Sequence, residues 1–163
     1  MDAADMGSDL ENVLVTNQQM QDRLEEMAQQ IDIDYAGKRP LVVGVLRGAL
    51  MVVADLTRKL HIPIEIDWMA VSSYGSGTKS SGVVRILKDL DTDVHNRDVI
   101  IIEDIIDSGL TLAWLKENLE TRGASSVSIA TALRKPDALK VPVDVRYVGF
   151  DIPNEFVVGY GLD

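Results

Sequence analysis

Three acidic residues and two hydroxyl residues fall within one short stretch of the chain, residues 103–111. Glu103 and Asp104 directly follow the apolar run at 99–102, and Asp107 comes after two isoleucines. Carboxylates can bind sugar hydroxyls directly or through Mg²⁺. The stretch ends in Ser108-Gly109-Leu110-Thr111, where a helix is predicted to begin, and free N–H groups at a helix N-terminus bind phosphate. The pattern therefore predicts a site for a sugar phosphate.

A buried parallel sheet is the predicted support for this site. Residues 41–46 and 99–102 are wholly apolar, as in strands covered on both faces, and ligands of such sheets lie beyond the carboxyl ends of the strands. This pattern predicts an α/β fold in one domain, with a mostly parallel, twisted sheet flanked by helices. Further strands are predicted at 64–71, 83–87, 127–133 and 143–148, and helices at about 17–32 (with Thr16 as N-cap), 49–60 and 110–120.

Residues 72–82 have a different composition, which is small, polar and rich in glycine. Such a segment buries little apolar surface to offset the entropy of fixing it. We therefore predict a mobile loop that is poorly ordered without ligand and that closes over the site to exclude water.

Composition and charge exclude several classes of protein. The 163 residues carry a net charge of −10 and include no cysteine, which excludes disulfides and thiolate metal sites. The sequence offers no basic stripe for nucleic acid, no apolar run that spans a bilayer and no secretory leader. We expect a cytoplasmic protein that binds neither nucleic acid nor membrane, and that meets a polyanionic substrate through a divalent metal.

The stretch at 103–111 resembles the phosphoribosyl-pyrophosphate signature of the type I phosphoribosyltransferases, and the likeness runs from about residue 14 to the end. The strings at 34–49, 72–75, 88–91, 148–153 and 156–163 look like the bacterial hypoxanthine-guanine branch. The resemblance implies the type I fold, with a small hood mainly from about 135–163. It implies Mg²⁺-dependent transfer of 5-phosphoribosyl from phosphoribosyl pyrophosphate to hypoxanthine or guanine, a step of purine salvage, by a homodimer or homotetramer.

The resemblance also assigns roles to the residues that meet the sugar and the phosphates. Glu103 and Asp104 match ribose- and metal-facing acids, and Asp107 matches the acid/base group near purine N7. The segment 107–111 matches the 5′-phosphate loop. Leu46-Arg47-Gly48 matches the pyrophosphate loop, which contains a cis peptide in the family and has Lys in many relatives where this chain has Arg47.

Other positions match residues that meet the base. Lys135 matches the donor to the purine 6-oxo group, Phe156 the ring stacked on the base, and Val157 the backbone that reads the purine edge. Asp163 matches an acid near the second metal and the 2-position of the base. Without the family match, Lys135 would be a solvated turn lysine, Phe156 strand core and Asp163 a frayed carboxylate. The loop that closes over the reacting centre is matched by Ser73 and Tyr74.

Two alternatives and one departure remain open at this point. The same fold could serve a regulatory RNA-binding protein, or an enzyme that acts on another acceptor such as xanthine. Relatives continue past the position of Asp163 with a short segment that contains a pyrophosphate-binding arginine. Either the sequence is incomplete at this end, or we expect weaker pyrophosphate binding.

Overall fold

A computed structural model describes residues 3–73 and 84–162 of the protein. Within these ranges, six strands form one sheet in the order β3-β2-β1-β4-β5-β6. Neighbouring strands run parallel except β2 and β3, which are antiparallel. The mostly parallel sheet is therefore confirmed. The strands are β1 (Leu41–Leu46), β2 (Glu65–Ser73), β3 (Val84–Lys88), β4 (Asp98–Ile106), β5 (Ser126–Arg134) and β6 (Tyr147–Asp151).

Three α-helices cover the sheet in the described part of the chain: α1 (Asn17–Asp34), α2 (Leu50–Thr57) and α3 (Leu110–Thr121). The predicted N-cap at Thr16 is confirmed: its hydroxyl accepts the Gln19 N–H, while the Gln19 side chain accepts the Thr16 N–H. Short 3-10 helices lie at Ala3–Asp9 and Pro136–Ala138. Across residues 3–73 and 84–162, none of the helices has both the length and the apolar character needed to cross a membrane.

The apolar core lies on both faces of the sheet. On β4, Ile100 and Ile102 pack with α1 and α2, whereas Val99 and Ile101 pack with α3 on the opposite face. Successive side chains of a strand point to opposite faces, so a strand buried on both sides needs an unbroken apolar run. This explains why residues 99–102 show no alternation of polar and apolar side chains.

Strand β4 extends further than the apolar run predicted. It continues through Glu103 and Asp104 to Ile106 because β5 pairs with it as far as Ile106–Arg134. The ladder to β1 on the other side ends earlier, at Gly44–Ile102. The two acids therefore belong to the last part of the strand, not to the loop after it.

The last strand was placed too early by the sequence. It was predicted at 143–148, but β6 begins at Tyr147. Val143 and Val145 instead pack against the α3 side of the core, and a Cβ at Gly109 would lie 2.9 Å from Val143 Cγ2. Val143 therefore covers the turn before α3 and Val145 packs on the core, so their apolar character was mistaken for strand pairing.

The predicted loop at 72–82 is also shorter at its first end. Ser72 and Ser73 still pair with Arg85 and Val84 and belong to β2. The remainder of the predicted loop, and the predicted strand residue Val83, lie outside the described residues.

The Arg23 side chain binds the edge strand β6 to α1. The Arg23 guanidinium donates to the carbonyl of Val148 at 2.8 Å and to that of Gly149 at 3.2 Å. These bonds link the α1 layer to the outermost strand of the sheet.

Candidate active site

A cleft of about 250 Å³ opens at the carboxyl ends of β1 and β4. These two strands part after Gly44–Ile102, and the chain winds away from them in opposite directions along the sheet. Ligands of open α/β sheets bind at such a switch point. The cleft is lined by Val45, Val71, Glu103, Asp104, Ile105, Ile106, Asp107, Ser108, Gly109, Thr111 and Leu112.

Glu103 and Asp104 place two carboxyl groups side by side in this cleft. Asp104 Oδ1 accepts the Ile105 N–H at 2.7 Å, and Glu103 Oε1 accepts the Asp104 N–H at 3.2 Å. Burial raises the pKa of Glu103 well above its usual value, and the neighbouring Asp104 carboxyl raises it further. Two adjacent acids that repel each other are well suited to share a cation.

The donor chemistry of this acid pair fits Mg²⁺, which prefers hard oxygen ligands. In residues 3–73 and 84–162 no group of three or more His, Cys, Asp or Glu could by itself hold a metal ion. Mg²⁺ is commonly held by one or two carboxylates together with substrate phosphates and water. Glu103 and Asp104 would be its ligands here, and the sequence prediction that Asp163 joins them concerns a residue outside the described ranges.

The predicted pyrophosphate loop lies directly against one of these acids. The peptide bond between Leu46 and Arg47 is cis, as the resemblance implied. A Cβ at Gly48 would overlap Asp104 Oδ2. A side chain at position 48 would therefore force the Asp104 carboxylate or the loop to move, because the two are in close contact.

The N-terminus of α3 offers unpaired N–H groups to the cleft. Its cap is Gly109, at φ 79°, which has no side chain to accept a hydrogen bond from the first turn. Ser108 Oγ makes only a long contact of 3.4 Å with the Leu110 N–H, and Thr111 lines the cleft. The sequence predicted this phosphate cradle at 107–111, and the structure brings its residues to the same end of the sheet as the acid pair.

Lys135 and Asp107 meet at the rim of the cleft. Lys135 is only 8% exposed, and its Nζ lies 3.7 Å from Asp107 Oδ2. The Lys135 N–H also donates to the Ile106 carbonyl at 2.9 Å, which fixes the turn after β5. The alternative of a solvated turn lysine is therefore wrong.

Three of the remaining predicted site residues have a described position, and two do not. Phe156 is 92% exposed, so the alternative of strand core is wrong. Val157 packs against the core on the α1 and α2 side. Ser73 is the last residue of β2, whereas Tyr74 and Asp163 lie outside the described residues.

Sequence reasoning missed the apolar lining of the cleft. Val45, Ile106 and Leu112 contribute to it while they also belong to the core. The sequence analysis did not assign them to the site, because one apolar position in a strand or helix carries no local sign that a cavity adjoins it. Alternation along β4 from the known acids could have pointed to Ile105 and Ile106.

Comparison with known proteins agrees with this geometry. A model of the phosphoribosyl transferase domain matches residues 12–163. The chain belongs to the phosphoribosyltransferase family. The hypoxanthine-guanine phosphoribosyltransferase of Mycobacterium tuberculosis is 55% identical over 161 residues, which covers 95% of this chain and 80% of that protein. The enzyme of that name from Streptococcus thermophilus is 50% identical over 155 residues, with 95% and 86% covered.

A solved phosphoribosyltransferase structure is also similar. The hypoxanthine phosphoribosyltransferase of Staphylococcus aureus superposes with a TM-score of 0.95 at 44% identity, covering 100% of this chain and 89% of that one. The predicted family and the predicted fold are thus both confirmed.

Proposed function

We propose that this phosphoribosyltransferase transfers the 5-phosphoribosyl group of phosphoribosyl pyrophosphate to hypoxanthine or guanine, as the names of its relatives indicate for them. The observation that carries the choice of base is the Lys135–Asp107 pair at the cleft. A 6-oxopurine with its proton on N7 presents an acceptor and a donor next to each other. Lys135 is a donor without acceptor capacity, and the carboxylate oxygens of Asp107 are acceptors.

Two elements at this end of the sheet support a proposal for how the sugar substrate is held. The open N-terminus of α3 suits the 5′-phosphate, and the loop of Leu46, Arg47 and Gly48 suits the pyrophosphate. A bound Mg²⁺, held by Glu103 and Asp104, would neutralise charge on the departing pyrophosphate. Fixed N–H groups and carboxylates assist because they need little reorganisation as charge develops.

The acid/base step is assigned to Asp107. The purine N9 forms its bond to C1 of the ribose while the bond from C1 to the pyrophosphate oxygen breaks. Asp107 accepts the proton that N7 releases, and its 61% side-chain exposure leaves it accessible to a ligand. Ser73, Tyr74, Phe156, Val157 and Asp163 keep the roles that the resemblance implies, as part of this proposal.

The proposal includes features of the whole molecule. The chain is one domain with a hood mainly from about 135 to its last residue, it works in the cytoplasm, and it assembles as a homodimer or homotetramer. In a Trypanosoma cruzi relative of 37% identity, the C-terminal region was studied for its role in oligomeric state and activity. Exposed apolar side chains such as Ile66 and Leu87 would be available to an interface.

The test is an activity screen of the purified protein with phosphoribosyl pyrophosphate, Mg²⁺ and each of hypoxanthine, guanine, xanthine and adenine. We expect IMP and GMP with equal amounts of pyrophosphate, and little AMP. If neither hypoxanthine nor guanine yields a nucleotide, the proposal is overturned. Efficient use of xanthine would extend the acceptor class.

A further inference from the structure

We propose that Tyr160 and Asp55 form a positioning pair that holds the base-reading C-terminal segment at a fixed separation from the pyrophosphate loop. The inference rests on the proposed function and concerns how the same site is assembled. Neither residue is among those that line the cleft, so the pair would act through the residues that it places.

A hydrogen-bond network joins three separate elements through this pair. The Tyr160 hydroxyl donates to Asp55 Oδ2 on α2. The same oxygen accepts from Gln21 Nε2 of α1 at 3.0 Å, and Gln21 Oε1 accepts from Lys59 Nζ at 2.9 Å. Burial alone would raise the pKa of Asp55, but the hydrogen bonds from Tyr160 and Gln21, together with the charges of Lys59 and Arg58, outweigh burial and lower it. Asp55 is therefore an ionised acceptor at the centre of the network.

The backbone at Tyr160 indicates that its side chain serves a purpose. Gly159, Tyr160 and Gly161 all have positive φ, at 93°, 52° and 88°. Glycine adopts this region freely, but a tyrosine meets steric resistance there. The Leu162 N–H closes the turn on the Gly159 carbonyl at 3.0 Å. A bulky residue in the middle of such a turn is best explained by the bond that its hydroxyl makes.

The same turn also touches the pyrophosphate loop. A Cβ at Gly161 would lie 2.8 Å from the Gly48 carbonyl oxygen and 3.5 Å from Met51 Cγ. Met51 and Asp55 are four residues apart on α2, so they lie on one side of the helix. The C-terminal turn thus contacts α2 at two points, and α2 begins just after the loop.

This arrangement predicts a specific kinetic effect. Tyr160→Phe removes one hydroxyl and keeps the ring. The KM for hypoxanthine should rise roughly threefold to tenfold, the size expected for one lost hydrogen bond. The kcat and the KM for phosphoribosyl pyrophosphate should change by less than about twofold, because the variant leaves the chemical groups in place.

A matched control separates positioning from stability. Tyr147 makes the same kind of bond, from its hydroxyl to Asp34 at the end of α1, at 2.6 Å, and neither residue lines the cleft. Tyr147→Phe should lower the free energy of unfolding in urea by about as much as Tyr160→Phe does. It should leave the KM for hypoxanthine unchanged. An equal rise of KM in both variants would reduce the pair to general stabilisation and overturn the inference.

A second set of variants tests the bond itself. Asp55→Asn keeps an acceptor oxygen, so its KM for hypoxanthine should stay near the wild-type value. Asp55→Leu leaves the Tyr160 hydroxyl without its acceptor, so its KM for hypoxanthine should rise at least as much as that of Tyr160→Phe. Adding Tyr160→Phe to Asp55→Leu should not raise the KM for hypoxanthine further, since the Tyr160–Asp55 bond is already absent from Asp55→Leu. If Tyr160→Phe keeps the wild-type KM for hypoxanthine, the positioning role of the Tyr160–Asp55 pair is refuted and the proposed function is not affected. A wild-type protein without activity would refute the proposed function, and this inference with it.

Discussion

Gly48 lies against Asp104 so closely that a methyl group on its α-carbon would overlap Asp104 Oδ2. The loop before α2 and the acid end of β4 therefore keep their present arrangement only while position 48 has no side chain. The group that would bind pyrophosphate and one carboxylate that would bind Mg²⁺ form a single packed unit.

Gly48→Ala should disable this unit. Either the carboxylate or the loop must move, and displacements of about 1 Å at a reacting centre can reduce rates about 100-fold. We expect a loss of that size in kcat/KM for phosphoribosyl pyrophosphate at saturating hypoxanthine. Gly37→Ala is the control, because its Cβ would meet nothing within 4 Å although its φ of +76° makes the change strained. Equal kinetics in the two variants would contradict the role of the Gly48 contact.

Asp104→Asn should weaken the use of Mg²⁺. An amide oxygen is a poorer ligand than a carboxylate for a hard cation, so the Mg²⁺ concentration for half-maximal activity should rise roughly tenfold or more. The measurement is initial rate against Mg²⁺, with the exposed Asp144→Asn as control. Excess chelator should abolish wild-type activity. Full activity in chelator would remove the metal from the mechanism.

Asp107→Asn should slow the chemical step while sugar-phosphate binding survives. The amide keeps the shape and an acceptor oxygen but cannot take a proton near neutral pH. A fall of about 10²–10⁴-fold in the single-turnover rate is expected for loss of a positioned acid/base group. Asp137→Asn, an exposed acid in the nearby turn, should react at the wild-type rate. A normal rate in Asp107→Asn would make Asp107 a structural residue.

Lys135→Ala should narrow the preference for 6-oxopurines over adenine. The buried ammonium can bond a 6-oxo oxygen but faces another donor in the amino group of adenine, a mismatch of roughly 1–3 kcal/mol or more. The measurement is kcat/KM for hypoxanthine, guanine and adenine, with the exposed Lys140→Ala as control. If adenine is already a good substrate of the wild type, or if the ratio is unchanged in Lys135→Ala, the assignment fails.

Asp67 should make the stability of the fold depend on pH. This buried carboxylate accepts the Trp68 N–H through Oδ1 at 2.7 Å and the N–H groups of Asp91 and Thr92 through Oδ2 at 3.0 and 2.9 Å. Burial alone would raise its pKa, but these donors outweigh burial and lower the pKa. The stabilisation is therefore present above the unfolded pKa of about 3.9 and is lost as pH falls through the lower folded pKa.

Asp67→Asn should lose this stabilisation at neutral pH. Its NH₂ group would face two N–H donors, so we expect the free energy of unfolding to drop by roughly 1–3 kcal/mol. Urea unfolding from about pH 7 to about pH 3 should show the gap to wild type closing in acid. A gap that stays constant over that range would show that ionisation of Asp67 is not its origin.

Local patterns in the sequence predicted several structural elements around the candidate site. The start of a helix at Leu110 and the Thr16 cap depend on contacts within a few residues, and both are found in the structure. The end of β4 was missed because pairing with β5 continues past the point where Glu103 breaks the apolar run. Pairing of that kind is a property of the sheet and is not encoded in the strand alone.

Long-range relationships were beyond the reach of the sequence. Lys135 before Pro136 has the local character of an exposed turn, and only the surrounding fold buries it against Asp107. Asp55 and Tyr160 are separated by 105 positions, and neither has a neighbour that hints at the other. The one signal in the sequence for this pair was a tyrosine between two glycines, because the glycines have no side chains for the ring to pack against.

The hydrogen bonds from Arg23 to β6 affect how readily the protein aggregates at high concentration. The last strand of a sheet exposes peptide groups that another chain can pair with, and this is a common start of aggregation. Here the carbonyls of Val148 and Gly149 are already bound to a bulky charged side chain. A strand of another chain would have to displace that guanidinium before it could extend the sheet. Arg23 therefore protects the edge at β6 from intermolecular strand addition.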